Sequence, residues 1–305
     1  MIISCTNFGE HHAATSAVAE LQSAHAAVSA GLKVPCPWAR YAASLNRGAD
    51  VGVRLTLNAE HDIYRWGPIT HSPSLLDGNG GFPVTLEDLW DHAELDEVRR
   101  ECRAQLERAI SWGFDVSHLS SHFDALLLRP EFFDVALDLA LEFALPIELP
   151  DEAVLMRAGF RLRDLAAEEG VVFAGRVVEL DQELRLPHPS GSPAPGKDGD
   201  RDQDSDRGDR DQDGGHRDDE AAAAFKAFLS DLAPGVTVLR ISPAINTAEH
   251  RALTDSGAGI AMYRTVLATL SAFSPTTNRL NSDPRVQLIT YRDLRSIQRS
   301  GAERF

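Results

Sequence analysis

An α/β fold is what this sequence predicts, as one (β/α) barrel-like domain over residues 1–305 with seven or eight mostly parallel strands. Three observations point to it. Short apolar runs alternate with helical stretches along the chain, the pattern that parallel sheets produce. Polar and ionisable residues gather at the ends of several of those runs, where α/β enzymes keep their chemistry. A chain of 305 residues also buries enough surface to need no disulfide or metal staple.

Ile2 to Cys5 reads as the first strand, with Thr6-Asn7-Phe8-Gly9 as the turn into a helix. Ala13 to Ala30 carries Ala, Val and Leu at helical spacing and reads as a helix that Gly31 stops. Val34-Pro35-Cys36-Pro37-Trp38 is a proline-interrupted strand end, Ala39 to Leu45 a short helix, and Val51 to Asn58 the clearest strand of the chain. From Ala59 to Glu94 the periodicity disappears. A loop of that length inside a compact domain is functional or disordered, and Trp66, Phe82 and Trp90 favour a packed, ordered one.

Glu94 to Trp112 is an amphipathic helix closed by Gly113, and Ser117 to Asp124 a short strand. Pro130 suits the first turn of the helix that runs through Phe132 to Ala144. A strand at Pro146 to Pro150, a helix at Leu162 to Glu169 and a strand at Val171 to Phe173 follow. Beyond an insert, the pattern resumes with a helix at Ala221 to Leu232, a strand at Val236 to Ile241 and a helix at Ala261 to Phe273. A late strand at Val286 to Ile289 and a closing helix at Tyr291 to Gln298 complete the order.

The insert, Pro187 to Glu220, is almost wholly Pro, Gly, Asp, Arg, Ser and Gln. Between Lys197 and Glu220 stand ten Asp and one Glu against one Lys and four Arg, with nothing apolar to bury, so the segment is expected to be disordered. The alternation of Asp198, Asp200, Asp202, Asp204 and Asp206 resembles a calcium loop, but the glycine and terminal Glu of an EF-hand do not fall into place.

The net charge of −16 argues against a nucleic-acid partner, since phosphates reward clustered Lys and Arg. No stretch is apolar enough to cross a membrane, and Met1-Ile2-Ile3-Ser4-Cys5 has no basic region followed by a long apolar run. Cys5, Cys36 and Cys102 show no paired spacing, which fits a reduced compartment. A cytoplasmic protein is the expectation.

The chemistry centres on Ser117-His118-Leu119-Ser120-Ser121-His122-Phe123-Asp124. In a strand, His118, Ser120 and His122 share one face. Two imidazoles so placed can converge on one ion or one substrate, or sit in the core or rim with no ligand. Neither Ser120 nor Ser121 lies in the Gly-x-Ser-x-Gly turn that activates a nucleophilic serine.

Taken together, Asn7-Phe8-Gly9, Pro35-Cys36-Pro37-Trp38, Gly52-Val53-Arg54-Leu55-Thr56-Leu57, Tyr64-Arg65-Trp66-Gly67-Pro68, the histidine motif, Arg129-Pro130-Glu131-Phe132, Ser242-Pro243-Ala244 and Tyr291-Arg292-Asp293-Leu294 resemble the YdjC-like carbohydrate deacetylase family over nearly the whole chain. The resemblance implies hydrolysis of the acetamide of an N-acetylated sugar, a divalent metal (magnesium or zinc), a small oligosaccharide or amino-sugar ligand, and a homodimer as the assembly to look for. It also places the site. Thr6 and Ser242 stand at the family's base and acid positions, and Asn7, Arg54 and His122 at its metal-ligand positions. His118, Trp38 and Trp66 are the implied substrate-binding residues.

The substitutions at those positions bear on the activity. Where the family pattern has Asp-Asp-Phe-Gly, Gly-Val-His-Leu-Thr-Leu, His-x-Asp-Ser-His and His-Pro, this chain has Thr6-Asn7, Arg54, Ser120 and Ser242. Metal-assisted amide hydrolysis needs a cation that activates water, a base and an acid. Thr6 is no base near neutral pH, Asn7 brings no negative charge, and a guanidinium at Arg54 repels a divalent ion. Two readings stay open. One is a deacetylase with a rearranged site that gathers a metal through His122, His118 and His11 or His12. The other is an inactive homologue whose cleft, lined by Trp38, Tyr64, Trp66 and Phe82, binds a glycan or a partner, with Arg54 supplying the pocket's positive charge; those aromatics read equally well as core.

Overall fold

A computed structural model describes residues 1–45, 48–157, 159, 161–179, 210–253 and 257–302. Strands β1 (Ile2–Phe8), β2 (Val28–Leu32), β3 (Asp50–Leu55), β4 (Leu119–Ser121), β5 (Arg176–Glu179) and β6 (Thr237–Ile241) form one curled, half-barrel sheet in the order β4-β3-β2-β1-β6-β5. Every pairing is parallel. Helices α1 (His12–Ala24), α2 (Ala39–Leu45), α3 (Leu86–His92), α4 (Leu95–Ser111), α5 (Pro130–Glu142), α6 (Glu152–Arg157) and α7 (Leu162–Glu168) alternate with the strands. After them come α8 (Arg210–Ser230), α9 (Ala248–Leu253), α10 (Ala258–Leu270) and α11 (Tyr291–Ala302). Among the described residues no helix is long and apolar enough to cross a membrane.

Among the described residues the sheet has six strands, not the seven or eight expected. The missing ones survive as single contacts. Leu119 N–H donates to Pro146 O and Glu148 N–H to Leu119 O, both along the edge of β4, and Ile147 N–H donates to Val172 O. Pro146 and Pro150 have no N–H to extend that ladder. The late strand expected at Val286 to Ile289 is reduced to a bridge between Arg279 and Gln287.

Two boundaries also differ from the pattern. The helix expected over Ala13 to Ala30 ends at Ala24, and Val28-Ser29-Ala30-Gly31-Leu32 is the buried strand β2. Gly31 is therefore no helix stop: a Cβ there would lie 3.1 Å from Cβ of Arg54 and 3.3 Å from Oγ of Ser120. Helix α8 begins at Arg210, inside the segment expected to be disordered. The rest of that segment, Pro187 to Asp209, lies outside the described residues, with the candidate calcium aspartates.

Alternation along the strands sorts the core. Ile3, Cys5, Val28, Ala30, Leu32, Val51, Val53, Leu55, Leu119, Leu239 and Ile241 join the main apolar cluster between sheet and helices. The opposite, concave side is polar, carrying Ser4, Thr6, Ser29, Asp50, Arg54, His118, Ser120 and Arg240, all buried. Its N-terminal end is closed by α11: Tyr291 and Leu294 pack with Ile2, Ala174 and Val238, and Tyr291 N–H donates to Asp50 Oδ2 at 2.9 Å. The C-terminal ends of the strands stay lined by ionisable groups, and the loop from Ala59 onward folds over them. Trp66 and Phe82 are buried in that loop, which fits an ordered, packed segment.

Candidate functional site

The cluster at the C-terminal end of the sheet is centred on Lys33. This residue directly follows β2, two positions beyond Gly31, so the strand's alternation turns it to the concave side. Its N–H donates to Phe8 O at 2.9 Å, which fixes the backbone. The side chain is 1 % exposed. Its ammonium lies 2.9 Å from Glu10 Oε2, 3.1 Å from His122 Nε2 and 3.5 Å from Glu60 Oε1, and 4.3 Å from the centre of the Trp66 ring. A buried lysine is rare unless it is paired, and this one has two carboxylates, an imidazole and an aromatic face.

Each partner is positioned locally. Glu10 follows Gly9, whose φ of +85° and lack of a Cβ let the chain pass 2.9 Å from the Ala39 backbone, measured to the position a Cβ would take. His11 caps α1 by accepting from Ala14 N–H. Glu60 and His61 begin the long loop, and Tyr64 donates to Glu10 O at 2.8 Å. His122 opens the turn that follows β4, and Phe123 and Asp124 come next with φ of 49° and 54°, a left-handed pair in which Asp124 turns back to accept hydrogen bonds from Arg240.

The electrostatics follow from burial and neighbours. Burial opposes charge on Lys33, but Glu10 and Glu60 win and raise its pKa. Against the same desolvation, Lys33 and His122 pull Glu60 down to about 2, and Lys33 with His61 holds Glu10 well below the usual carboxylate range. Burial and the Lys33 charge push His122 down to about 4, so it is neutral. Its Nε2 faces the ammonium at 3.1 Å and Glu60 Oε2 at 2.9 Å. A neutral imidazole nitrogen accepts from one or donates to the other, not both at once. His61 shifts the other way: its hydrogen bond to Glu10 and the two carboxylate charges outweigh burial and raise its pKa.

The remaining expected site residues lie around this centre. Thr6 Oγ1 and Ser242 Oγ are hydrogen-bonded to each other at 2.7 Å. Asn7 Nδ2 donates to Pro243 O at 3.0 Å, and its Oδ1 is buried without a partner. Arg54 projects into the concave side, where its nearest carboxylate is Glu148 at 3.7 Å and its Nε has no partner. Glu148 is already held by Arg240 Nε and by Tyr291 Oη, each at 2.6 Å. Trp66 forms a wall against Lys33, while Trp38 stands half-buried at the rim beside His12, with ring centres 5.0 Å apart.

His118 is not brought to His122. It stacks on Tyr291 with ring centres 3.7 Å apart at the closed end, in space that the missing Cβ of Gly52 leaves free. The two histidines do share a strand face, but successive same-face positions step along the strand rather than meeting at one point. Lys33, Glu10, Glu60 and His61 were not read from the sequence as site residues. Glu60-His61, two ionisable residues just past the clearest strand, were the signal available.

A divalent metal does not fit the family-position set. Asn7 leaves its Oδ1 open but brings no negative charge, Arg54 is a cation, and His122 faces an ammonium. A different set has the right donor chemistry: one atom each of Glu10, Glu60 and His61 lies within 4.8 Å of the others. Lys33 is bonded to those same carboxylates, however, and supplies the charge a metal would bring. With the ammonium in place, these residues do not fit a metal ion.

Comparison with known proteins agrees with the fold and the motifs. The chain is 42 % identical over 106 residues to a carbohydrate deacetylase of Thermus thermophilus, covering 35 % of this chain and 38 % of that protein. It is 32 % identical over 123 residues to a carbohydrate deacetylase of Geobacillus stearothermophilus, covering 40 % and 48 %. The matched stretches thus span less than half of either relative. A crystal structure from Enterococcus faecalis V583, of a protein provisionally named for cellobiose-phosphate cleavage, superposes over 96 % of this chain and 97 % of that one, with a TM-score of 0.68 and 17 % identity, a likeness of fold. The model of the YdjC-like protein family matches residues 1–272, and the chain belongs to that family.

Proposed function

We propose that the cleft at the C-terminal end of the sheet binds an N-acetylated amino sugar or short oligosaccharide, and that metal-dependent deacetylation is weakened or lost in this chain. The family and the names of its relatives support the ligand class. The observation that carries the loss is the Thr6–Ser242 hydrogen bond of 2.7 Å, at the positions implied for base and acid. Two aliphatic hydroxyls bonded to each other neither take a proton from water nor deliver one to a leaving amine near neutral pH.

One observation favours the enzymatic alternative: the donor atoms of Glu10, Glu60 and His61 stand at metal-ligand spacing. In that reading hydrolysis has moved to a new metal set beside His122, with Lys33 as a second cation.

The test pairs two measurements. Tryptophan fluorescence follows binding of chito-oligosaccharides, because Trp66 lies 4.3 Å from the Lys33 ammonium and Trp38 stands beside His12. Acetate release from the same sugars is measured with added zinc or magnesium and with chelator. The expected result is saturable binding with little or no acetate. Metal-stimulated release that chelator abolishes would replace this reading with the enzymatic one.

A further inference from the structure

Among the described residues, Lys33 stands apart from an ordinary buried lysine in how completely it is coordinated. The groups around its nitrogen are those that hold a divalent ion elsewhere: two carboxylates and a neutral imidazole, with an aromatic face on one side. They come from three parts of the chain: the turn after β1, the long loop that supplies both Glu60 and Trp66, and the turn that follows β4. An accidental surface pair has one partner. A nitrogen surrounded from three parts of the chain is a centre around which the site is assembled.

We propose that the Lys33 ammonium is the resident cation of the cleft, an internal replacement for a metal ion, and that its removal turns Glu10, Glu60 and His61 into a divalent-cation site. Charge accounts for both halves. With the ammonium present, a divalent ion placed among Glu10 Oε1, Glu60 Oε1 and His61 Nε2 is repelled by a like charge bonded to the same carboxylates. His61 Nε2 is already 3.4 Å from Glu10 Oε1 and 3.9 Å from Glu60 Oε1, so a small ion needs little rearrangement to reach all three. Without the ammonium, two buried carboxylates are left uncompensated, and an ion relieves them. His122, freed from Lys33, keeps its contact to Glu60 at 2.9 Å beside that set.

The inference accompanies the reading of the cleft as a non-hydrolytic sugar site but is tested apart from it, by metal rather than by sugar. Metal-stripped wild type and Lys33→Met are titrated with zinc by calorimetry, and their thermal midpoints are followed with and without zinc. Wild type is expected to give no isotherm that depends on Glu10 or His61. Lys33→Met is expected to take one zinc at least about 100-fold more tightly than wild type, reflecting removal of a close like charge, and to lose that gain when His61→Ala is added.

A Lys33→Met chain that folds only with zinc present supports the same conclusion. Stoichiometric zinc binding by wild type that Glu10→Gln abolishes would overturn the first half. A Lys33→Met chain that binds no more tightly than wild type, or that zinc does not help to fold, would overturn the second.

Discussion

The ammonium of Lys33 lies 3.1 Å from Nε2 of His122, the one residue able to ligate a metal among the three positions that the family resemblance implies for it. That contact places a fixed positive charge where a metal would compete for the same lone pair. It joins two features that are separate in the sequence, the non-ligand residues Asn7 and Arg54 at implied ligand positions and the charge that follows a strand of small residues. The stability of this region therefore depends on an ion pair.

Breaking that pair will be costly. Lys33→Met leaves Glu10 and Glu60 buried without their counter-charge, and removal of one partner from a buried pair costs about 3–5 kcal/mol. Adding Glu10→Gln should return part of the loss, because one of the two uncompensated charges goes with it. Urea unfolding of both variants without metal checks this. Equal stability of the single and double variants would mean that Glu10 is not the main partner.

Arg54 and Arg240 are both buried guanidiniums on the concave side, but their circumstances differ. Among the described residues, Arg240 bonds Glu148, Asp124 and Glu179, whereas Arg54 has only Glu148 at 3.7 Å. Arg240→Met should cost about 3–5 kcal/mol, since it strands carboxylates, while Arg54→Met should cost under about 1 kcal/mol or stabilise, because a poorly compensated buried charge is removed. Thermal unfolding of the two variants side by side decides it, and a larger loss for Arg54→Met would reverse the assignment.

Stability should fall as the solution is acidified from neutral pH. Burial and neighbouring positive charge hold His122 and His250 at about 4, below the usual 6.5. Between those values the unfolded chain binds a proton that the folded chain refuses, so stability rises with pH across this window. Each histidine accounts for up to about 3 kcal/mol. The carboxylates act lower: Glu60, drawn down to about 2, adds stability above its unfolded value of 4.5 that is lost as pH falls towards 2. Denaturation curves at pH 7, 5.5 and 4 should show the first loss, and His250→Gln should flatten it.

Much of the fold was legible because its elements carry their own period. The amphipathic helix α4 was expected from Glu94 to Trp112 and runs Leu95–Ser111, and the strand expected at Val236 to Ile241 is β6. The concave face was harder to read. Val28-Ser29-Ala30-Gly31-Leu32 has few β-branched residues, so its pattern reads as a helix that runs to Ala30 and stops at Gly31, and Lys33 falls in no predicted element. The site was then out of reach of local pattern, because the partners of Lys33 come from residues 10, 60, 66 and 122, and only the folded sheet brings those together. Thr6, Asn7, Arg54 and Ser242 are legible position by position as residues that depart from the pattern the family resemblance implies. Lys33 and its partners are not.

Gly52 offers a test of how the closed end of the sheet is built. It pairs with Gly31 across β2 and β3, and a Cβ at its position would collide with both the ring and the carbonyl oxygen of His118, the residue just before β4. Inserting that one carbon should cost about 1–3 kcal/mol through overpacking. The contact with the ring could be relieved by cutting back the side chain, but the contact with the carbonyl belongs to the backbone, which Val53 N–H anchors by donating to it at 2.9 Å. Gly52→Ala should therefore remain destabilised in a His118→Ala background, with a coupling energy well below the full cost of Gly52→Ala. A double-mutant cycle measured by urea unfolding reads that coupling directly. Full recovery of stability in the double variant would show that the ring alone demands the glycine, and that the strands have room to separate.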